Sequence, residues 1–429
     1  MAFALSGEAM NCGCTDRVTN RLIEVFAARQ QLIKAAAPPK EPERISLADA
    51  FGRVLAKPVV APLDMPGVDN SAMDGYALRT LDYQAVHQRG GLPVMLRVPA
   101  GAGVFALPEG GCARIFTGAP VPLGADAVIP QERVTVDLQG HIHIDGVPEP
   151  GANIRKQGEE TRAGSTLLPQ GSYLDAPAIA LLVSHGIHNI AVNRRLRVAM
   201  FSTGDELIET GVERSPGQVY DSNRAMLNVL LMQTNCQVVD LGIVSDSPRL
   251  LHQTFSQAQA NADLVICTGG ISVGEEDHVR TVIEQRGGLH FHGVAIKPGK
   301  PFAFGYLGSA PSSPTPLIAL PGNPVASLVG WQLLGRPFVH AMQNRQIEPL
   351  EHYPVTAGFT RRGPRGRCEW LRVVLEWADG APIAQLAGGQ GSHMLTGASQ
   401  AAGYLMVNAG TDILEGAAYP YYPVYQFCS

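Results

Sequence analysis

The amino-acid sequence predicts a multidomain chain of α/β plus β class, built around a central α/β domain. Two patterns support this fold class. Apolar runs of strand length alternate with helical patterns over residues 196–346, which is typical of a parallel sheet covered by helices in three layers. Short β-like runs separated by Gly and Pro occupy segments on either side. The length of 429 residues also exceeds what one core usually serves.

The first domain is predicted to be helical and discontinuous. Apolar residues at helical spacing predict a helix over Arg21–Ala36, which the following prolines end. A second short helix is predicted over Ser46–Leu55, with Ser46 as its N-cap. A further helical pattern at Ala178–Val183 follows the intervening β segment, and we expect it to return beside the first helices. The predicted domain therefore comprises residues 15–59 and 162–195.

Two β-rich domains are predicted, at residues 60–161 and 347–429. Strand-like runs bounded by Gly and Pro support both of them: Val94–Val98, Ala127–Ile129 and Ile142–Ile144 in the first, and Tyr353–Thr356, Trp370–Leu375 and Tyr404–Val407 in the second. In the first of these domains, acids, amides and hydroxyls are concentrated in the loops 66–76, 117–122 and 158–160. Ordinary turn chemistry accounts for part of that composition.

The α/β domain is predicted over residues 196–346. Its elements alternate in the order Val198–Phe201 (strand), Arg224–Gln233 (helix), Val238–Val244 (strand), Pro248–Asn261 (helix) and Leu264–Cys267 (strand), with a last helix over Val325–Met342. Ligands of such sheets bind at the carboxyl ends of the strands. The loops that follow the strands are therefore the candidate sites.

Composition excludes several classes of function. Apolar residues make up 45% of the chain and charged residues 17%, which is typical of a globular protein. The net charge of −5 provides no broad basic surface, so we expect neither nucleic-acid nor membrane-surface binding. Anionic ligands would need local basic pockets.

Cysteine usage and the N-terminal segment predict a cytosolic protein. The seven cysteines are scattered and odd in number, which favours a reducing compartment over a disulfide framework. Cys12 and Cys14 could bind a metal, but no second ligand pair follows them. Residues Met1–Cys14 lack the pattern of a secretion signal, and no apolar run is long enough to cross a bilayer.

Three loops of the α/β domain carry candidate chemistry, and each is predicted to join a strand to a helix. In the first, Phe201–Leu207, Asp205 and Glu206 follow Gly204 at a strand end. Such carboxylates can hold a divalent cation or orient a ligand hydroxyl. The alternative, equally supported by these residues alone, is a helix N-cap with acidic residues in its first turn.

The second loop, Cys267–Asp277, follows the most apolar strand. Gly269 and Gly270 would let backbone N–H groups approach a phosphate, and Ser272 offers a hydroxyl. The loop lacks the Lys-Ser/Thr ending of a P-loop, and its glycines do not have the G-x-G-x-x-G spacing. Both of those nucleotide-binding motifs are therefore excluded.

The third loop, Ala295–Pro301, places Lys297 and Lys300 in a turn stiffened by prolines. This arrangement predicts a compact, preorganised positive site, and solvated surface lysines are the alternative. The nearby segment Leu320–Val325 contains Pro324 at the predicted start of a helix, where an oxyanion could also dock.

Seven stretches, in order along most of the chain, resemble the molybdopterin molybdotransferase family, which includes bacterial MoeA proteins, plant Cnx E domains and the gephyrin E domain. The stretches are PLDMPGVDNSAMDGYA, RIFTGAPVPLGADAVIPQE, FSTGDEL, YDSNR, ICTGGISVGEEDH, AIKPGKPFAFG and LPGNPVAS. The resemblance implies an elongated four-domain subunit that forms a homodimer, and a molybdopterin-binding-like central domain.

The resemblance also assigns site residues. It implies that one subunit contributes Asp74, Thr117 and Glu160, and that the other contributes Glu206, Asp246, Asp277, Lys297, Lys300, Pro321, Pro324, Arg372 and Ser392. The catalytic group would be Asp74, Thr117, Glu206, Asp246 and Asp277. The substrate-binding group would be Glu160, Asp205, Gly269, Gly270, Ser272, Lys297, Lys300, Pro321, Pro324, Arg372 and Ser392.

The implied reaction inserts molybdate into adenylylated molybdopterin and releases AMP. Lys297, Lys300, Arg372 and Ser392 suit a tetrahedral oxyanion, whereas Glu206, Asp246 and Asp277 suit Mg²⁺ beside the pyrophosphate bridge. The adenylyltransferase that supplies the substrate is a candidate partner. A non-catalytic molybdopterin-binding scaffold or carrier, and a molybdopterin adenylyltransferase, are the alternative functions.

The sequence departs from the family pattern at three positions. Glu160 stands where relatives commonly carry Asp, Gly293 where many bacterial relatives carry Lys, and Gly389 where some carry His. The loss of a lysine near the oxyanion site would weaken affinity for an anion, but Lys297 and Lys300 remain.

Overall fold

The computed structural model describes residues 22–38, 41–86, 90–271, 278–308 and 314–427, which form two compact units. The larger unit holds the described residues up to Glu43, Gly52–Val54 and those from Val192 onward. The smaller unit holds Arg44–Phe51 and Leu55–Ala191.

The larger unit contains a six-stranded central sheet. Its order is Gln237–Val244, Arg197–Thr203, Leu264–Thr268, Thr315–Leu320, Ala303–Leu307 and Gly287–His292. The first four strands are parallel, as predicted, and they end at the same edge. Ala303–Leu307 runs antiparallel to both of its neighbours, so the sheet is mixed.

Both faces of the central sheet are buried, which confirms the predicted three layers. Val198 and Met200 pack into one apolar cluster, and the alternating residues Ala199 and Phe201 pack into another. This alternation follows from the two-residue period of a strand. The covering helices are Val25–Ala35, Ser222–Gln233, Pro248–Asn261, His278–Arg286, Pro324–Gly330 and Arg336–Met342, the last two joined by a π-helical turn at Trp331–Gly335.

The first helix begins later than predicted and packs on the larger unit. Glu24 caps it by accepting from the N–H groups of Phe26 and Ala27, so regular structure starts at Val25. Its buried face, Val25, Ala28 and Leu32, belongs to the same cluster as Trp331 and Phe338. No described helix is long and apolar enough to cross a membrane.

The prediction of a helix over Ser46–Leu55 is wrong. The structure has a strand at Pro42–Ser46 followed by a single 3₁₀ turn, Leu47–Asp49. Ser46 does cap this turn through Ala48 N–H. The turn cannot extend because Gly52 has a φ of +75°, outside the helical region, and because Leu55 N–H donates to the Ser172 carbonyl instead.

The smaller unit is rich in β structure, as predicted. Its main sheet has the order Ala127–Pro130, Gly75–Leu78, Cys112–Ile115, Leu92–Val98, His141–Ile144 and Val134–Val136. Two short ribbons pair Asn70–Ser71 with Ile154–Arg155, and Val59–Val60 with Thr166–Leu168. The remaining elements are the helices Thr80–Val86 and Ala176–Ser184 and the 3₁₀ turn Gln131–Arg133. The strand Asn189–Asn193 begins in this unit and ends in the larger one.

Residues after 162 form hydrogen bonds with the segment near residue 55. Ala61 N–H donates to Ser165, and Ala56 N–H donates to Ala191. The helix Val25–Ala35, however, contacts the helix Arg336–Met342 of the larger unit. The four domain boundaries given above stay a prediction.

A second six-stranded sheet lies near the C-terminus of the larger unit. Its order is Ile296–Lys297, Cys368–Ala378, Ala381–Leu386, Tyr353–Ala357, Ala418–Pro423 and Gly403–Val407. Cys368–Ala378 also pairs with Gly403–Val407, which closes five of the strands into a barrel. The helix Leu395–Gln400 and the 3₁₀ turn Val424–Phe427 complete this part. Ile296–Lys297 joins the barrel from the lysine loop.

An ion pair fixes the start of the central parallel strands. Arg194 donates to both carboxylate oxygens of Asp263 at 2.6 and 2.7 Å, and Arg197 N–H donates to the same carboxylate at 2.8 Å. Burial by itself would raise the pKa of Asp263, but these bonds outweigh it and hold the pKa below the ordinary 3.8.

Replacement of Asp263 by Asn is therefore expected to lower the unfolding free energy by about 2 kcal/mol near neutral pH. Because the folded carboxyl has the lower pKa, this difference should be present above pH 4 and disappear as the pH falls through the folded pKa. Urea unfolding across this pH range measures it. Glu284→Gln, which removes an exposed helix-surface pair with Arg280, is the control and should cost under about 0.5 kcal/mol. A pH-independent loss for Asp263→Asn would contradict the ionic origin.

Candidate active site

A cavity of about 640 Å³ opens at the carboxyl ends of the central parallel strands. It lies where the sequence placed the candidate loops, because parallel strands present their following loops at one edge. The predicted site residues that line it are Glu206, Asp246, Gly269, Gly270, Pro321 and Pro324. Loops that are far apart in the sequence thus meet in one cleft of the larger unit.

The first loop is held by its own acids. Asp205 accepts from the Ser245 hydroxyl at 2.7 Å and from Asp246 N–H at 3.2 Å, and these bonds lower its pKa. Thr203 donates its hydroxyl to Asp246. Asp205, predicted to bind substrate, therefore braces the turn that presents Asp246, whereas Glu206 and Asp246 line the cavity.

The alternative of a helix N-cap in this loop is wrong, as is the prediction that a helix follows directly. The chain continues from Glu206 into a short parallel ribbon, Leu207–Ile208 with Val219–Tyr220. The helix begins only at Ser222, where Asp221 is the cap and accepts from Arg224 N–H. Leu207 and Val219 thereby form part of the cavity wall.

The glycines of the second loop permit a close approach of two backbones. A Cβ on Gly269 would lie 2.1 Å from the Thr203 carbonyl oxygen, and a Cβ on Gly270 would lie 2.5 Å from a methyl group of Val279. Both have positive φ, at +90° and +55°. Packing therefore accounts for the glycines without a ligand, although both line the cavity. Gly269 N–H is already used, since it donates to the Leu320 carbonyl at 3.2 Å. Ser272 and Asp277 lie outside the described residues.

The lysine loop joins two strands, Gly287–His292 and Ala303–Leu307, rather than a strand and a helix. Within the loop, Ile296–Lys297 pairs with Cys368–Glu369 of the C-terminal barrel. Lys297 Nζ lies 3.1 Å from Glu369 Oε1, and Arg361 Nη2 lies 3.0 Å from the same oxygen. Glu369 is only 2% exposed. Two cations therefore share one buried carboxylate, and the cluster keeps a net positive charge. Lys300 is exposed.

Arg372 is buried in the barrel wall, and burial lowers its pKa. Its Nη2 donates to the carbonyls of Gly389 at 2.6 Å and Gly391 at 3.2 Å. Arg372 Nε has no hydrogen-bond partner among the described residues. The carbonyl of Ser392 accepts from Val325 N–H, so this loop is tied to the helix that begins at Pro324.

Asp74 and Thr117 meet in the smaller unit. Asp74 Oδ1 accepts from both the N–H and the hydroxyl of Thr117 at 2.8 Å, and these two bonds lower the pKa of Asp74. Both residues are exposed, and so is Glu160, whose N–H donates to the Met65 carbonyl. Asp74 is therefore an ionised carboxylate with a fixed orientation that faces solvent.

Three cavity or cluster residues were missed in the sequence. Asn223 lines the cavity, donates to the Gly322 carbonyl at 2.8 Å, and has a buried Oδ1 with no partner among the described residues. His393, from the C-terminal part of the chain, also lines the cavity. Glu369 holds Lys297. Only Asn223 could have been found in the sequence, because it belongs to the family-like stretch YDSNR. His393 and Glu369 come near the site only through tertiary structure.

The predicted metal ligands are brought together only in part. Glu206 and Asp246 share the cavity, and Asp277 is outside the described residues. Among the residues that the structure describes, no three His, Cys, Asp or Glu side chains are grouped as metal ligands would be. The two carboxylates provide oxygen donors of the type that Mg²⁺ prefers.

Three family models match successive parts of the chain: the MoeA N-terminal region (domain I and II) at residues 23–186, the probable molybdopterin binding domain at 199–341 and the MoeA C-terminal region (domain IV) at 354–424. A molybdopterin molybdenumtransferase of Haemophilus influenzae is 38% identical over 384 residues, which cover 87% of this chain and 92% of the relative. The chain belongs to the molybdopterin molybdenumtransferase family.

Other members of the molybdopterin molybdenumtransferase family support the same fold. A relative from Nostoc is 40% identical over 71% of this chain and 70% of its own. The solved structure of a molybdopterin biosynthesis MoeA protein from Pyrococcus horikoshii has a TM-score of 0.75 and 28% identity, covering 94% of this chain and 99% of that one. The multidomain α/β and β architecture is therefore that of the family.

Replacement of Gly269 by Ala tests whether the close approach fixes the cavity. Gly217 is a matched control, because its φ is +89° and no atom lies within 4 Å of a Cβ built there. Gly217→Ala should cost about 1 kcal/mol from φ alone, whereas Gly269→Ala must also displace a carbonyl and should cost at least about 2 kcal/mol more. Thermal and urea unfolding compare the two variants. Equal losses would show that the two turns are not in contact.

Proposed function

We propose that this chain transfers molybdenum to molybdopterin, the activity named for its relatives. One observation carries the proposal: a cavity at the carboxyl ends of the parallel strands is bordered by loops whose residues the family resemblance assigns to the site. In finer detail, the proposed substrates are adenylylated molybdopterin and molybdate, and the second product is AMP.

The pterin nucleotide is proposed to bind in the 640 Å³ cavity. Gly270 N–H is the proposed donor of this turn, because Gly269 N–H already donates to the Leu320 carbonyl. The helix that begins at Pro324 also starts at the cavity, where Asn323 is another lining residue. Backbone N–H groups and a helix N-terminus both favour phosphate oxygens. Asn223 adds a buried amide oxygen that lacks a partner, suited to accept from a ligand N–H or hydroxyl group.

Molybdate is proposed to bind near the Lys297 cluster. Lys297 is partly exposed, whereas its counter-ion Glu369 is buried, so the ammonium is anchored at one side and accessible at the other. Lys300, Arg372 and Ser392 complete the proposed oxyanion group. Guanidinium and ammonium groups bind tetrahedral oxyanions through charge-assisted hydrogen bonds.

Mg²⁺ is the proposed cation, with Glu206 and Asp246 as ligands and Asp277 as the third. When bound, it would supply positive charge beside the phosphate oxygens. The proposed assembly is a cytoplasmic homodimer, in which Asp74, Thr117 and Glu160 of a second subunit complete the site. The carboxylate of Asp74, kept ionised and oriented by Thr117, would then act on the substrate as a fixed acceptor of hydrogen bonds or protons.

Purified protein given adenylylated molybdopterin, molybdate and Mg²⁺ should release AMP and yield a cofactor that activates a molybdenum apoenzyme. Normal binding of the pterin without AMP release would favour a scaffold or carrier. Formation of adenylylated molybdopterin from molybdopterin and ATP would favour an adenylyltransferase. Either result would overturn the proposal.

Replacement of Asp74 by Asn should reduce AMP release at least 100-fold, because it removes the fixed charge and keeps the size. The matched control is Asp137→Asn, since Asp137 is also a carboxylate whose pKa is lowered by hydrogen bonds in the smaller unit, but it lies in a hairpin without predicted site residues. Single-turnover kinetics measure both. Wild-type turnover in Asp74→Asn would remove Asp74 from the site.

Replacement of Lys297 by Ala should raise the KM for molybdate roughly 10-fold to 100-fold, the effect of losing one charge-assisted hydrogen bond. The affinity for the pterin nucleotide should stay the same. Lys34→Ala, at an exposed helix end, is the control. If the molybdate dependence is unchanged in Lys297→Ala, its assigned role is wrong.

A further inference from the structure

A second cavity, of about 230 Å³, lies in the larger unit and shares no lining residue with the first. Arg29 from the helix Val25–Ala35, and Arg336 and His340 from the helix Arg336–Met342, contribute to its wall. Arg345 closes it from the segment that leads to the C-terminal barrel. Three arginines therefore line one cavity, and one of them, Arg336, donates through Nη1 to the Gln426 carbonyl.

Arg29 is a half-buried cation whose charge is not balanced by a nearby carboxylate of the described residues. Its Nη1 donates to the Leu333 carbonyl at 3.0 Å, and among the described residues it has no carboxylate partner. Burial lowers the pKa of Arg29 to about 10. A desolvated charge without a counter-ion is costly, and a bound anion would remove that cost.

The pKa of His340 reflects the positive charge around the same cavity. It is 7% exposed, and its Nε2 has no hydrogen-bond partner among the described residues. Burial, followed by the charges of Arg336, Arg345 and Arg29, lowers the pKa of His340 to about 2. The imidazole is therefore neutral, and it adds no positive charge to that of the three arginines.

Acidic residues stand only at the outside of this cavity in the described chain. Glu348 and Glu351 are exposed lining residues, and Glu351 faces the hydroxyl of Tyr425 at 3.4 Å. Exposed carboxylates are well solvated and screened, so they compensate the buried charge of Arg29 only weakly.

We propose that this second cavity binds a small, multiply charged oxyanion of the phosphate class, either free or as the phosphate group of a small molecule. Several oxygens on one dianion can be shared among three guanidinium groups, whereas a monocarboxylate offers two oxygens and a single charge. The volume exceeds that of one such anion, given that a water occupies about 30 Å³ of liquid, so an attached organic group also fits. The proposal does not depend on the transferase activity.

Titration calorimetry of the full chain with inorganic phosphate tests the proposal. Arg29→Gln and Arg345→Gln should each weaken phosphate binding about tenfold, the loss of one charge-assisted contact. Glu348→Gln should strengthen binding severalfold, because it removes a repelling charge at the rim. Lys297→Ala, which alters the proposed molybdate site, should leave unchanged the part of the phosphate binding that depends on Arg29 and Arg345. Glycerol phosphate and succinate distinguish a phosphate ester and a dicarboxylate from free phosphate.

Three results would overturn the proposal: no phosphate binding by the wild type, phosphate binding that is lost in Lys297→Ala and kept in Arg29→Gln, or succinate binding more tightly than phosphate. Circular dichroism establishes that each variant is folded. Because Arg29 also bonds to the Leu333 carbonyl, Arg345→Gln gives an independent result if Arg29→Gln is unstable.

Discussion

The larger unit depends on a contact in which two backbones meet without a side chain between them. The Thr203 carbonyl, at the end of one central strand, lies where the Cβ of Gly269 would otherwise be, at the end of the neighbouring strand. Only glycine permits this approach, and it draws the turns after both strands around one cavity. Asp205 then holds the first turn in place, because its carboxylate accepts from the Ser245 hydroxyl and from Asp246 N–H. The groups that line the cavity are therefore fixed before any ligand binds.

A second constraint connects the cavity edge to the C-terminal barrel. Lys297 leaves the α/β part and pairs as a strand with Glu369, whose buried carboxylate binds both Lys297 and Arg361. Desolvation of these charges is expensive, and the pairing offsets it only while all partners are present. The lysine is thus held by tertiary structure rather than by its prolines alone. Lys300, which is exposed, has no ion pair among the residues that the structure describes.

Much of the fold could be predicted because local patterns agreed with tertiary packing. The helix Pro248–Asn261 was predicted to the residue, since proline is favoured at the first position and the apolar stripe is regular. The prediction failed at Ser46–Leu55, where hydrogen bonds to distant residues replace those of a helix. The antiparallel strand Ala303–Leu307 has no local signature that distinguishes it from a parallel one. Likewise, Glu369 and His393 reach the site region through the barrel, which spacing in the sequence does not encode.

The central claim is that the turns at the carboxyl ends of the parallel strands bind the pterin nucleotide. A crystal structure of the protein with adenylylated molybdopterin tests it most directly. The predicted result is density for the nucleotide against Gly269, Gly270 and the start of the helix at Pro324, in the 640 Å³ cavity. Density for the ordered ligand elsewhere on the chain, with only water in that cavity, would contradict the account.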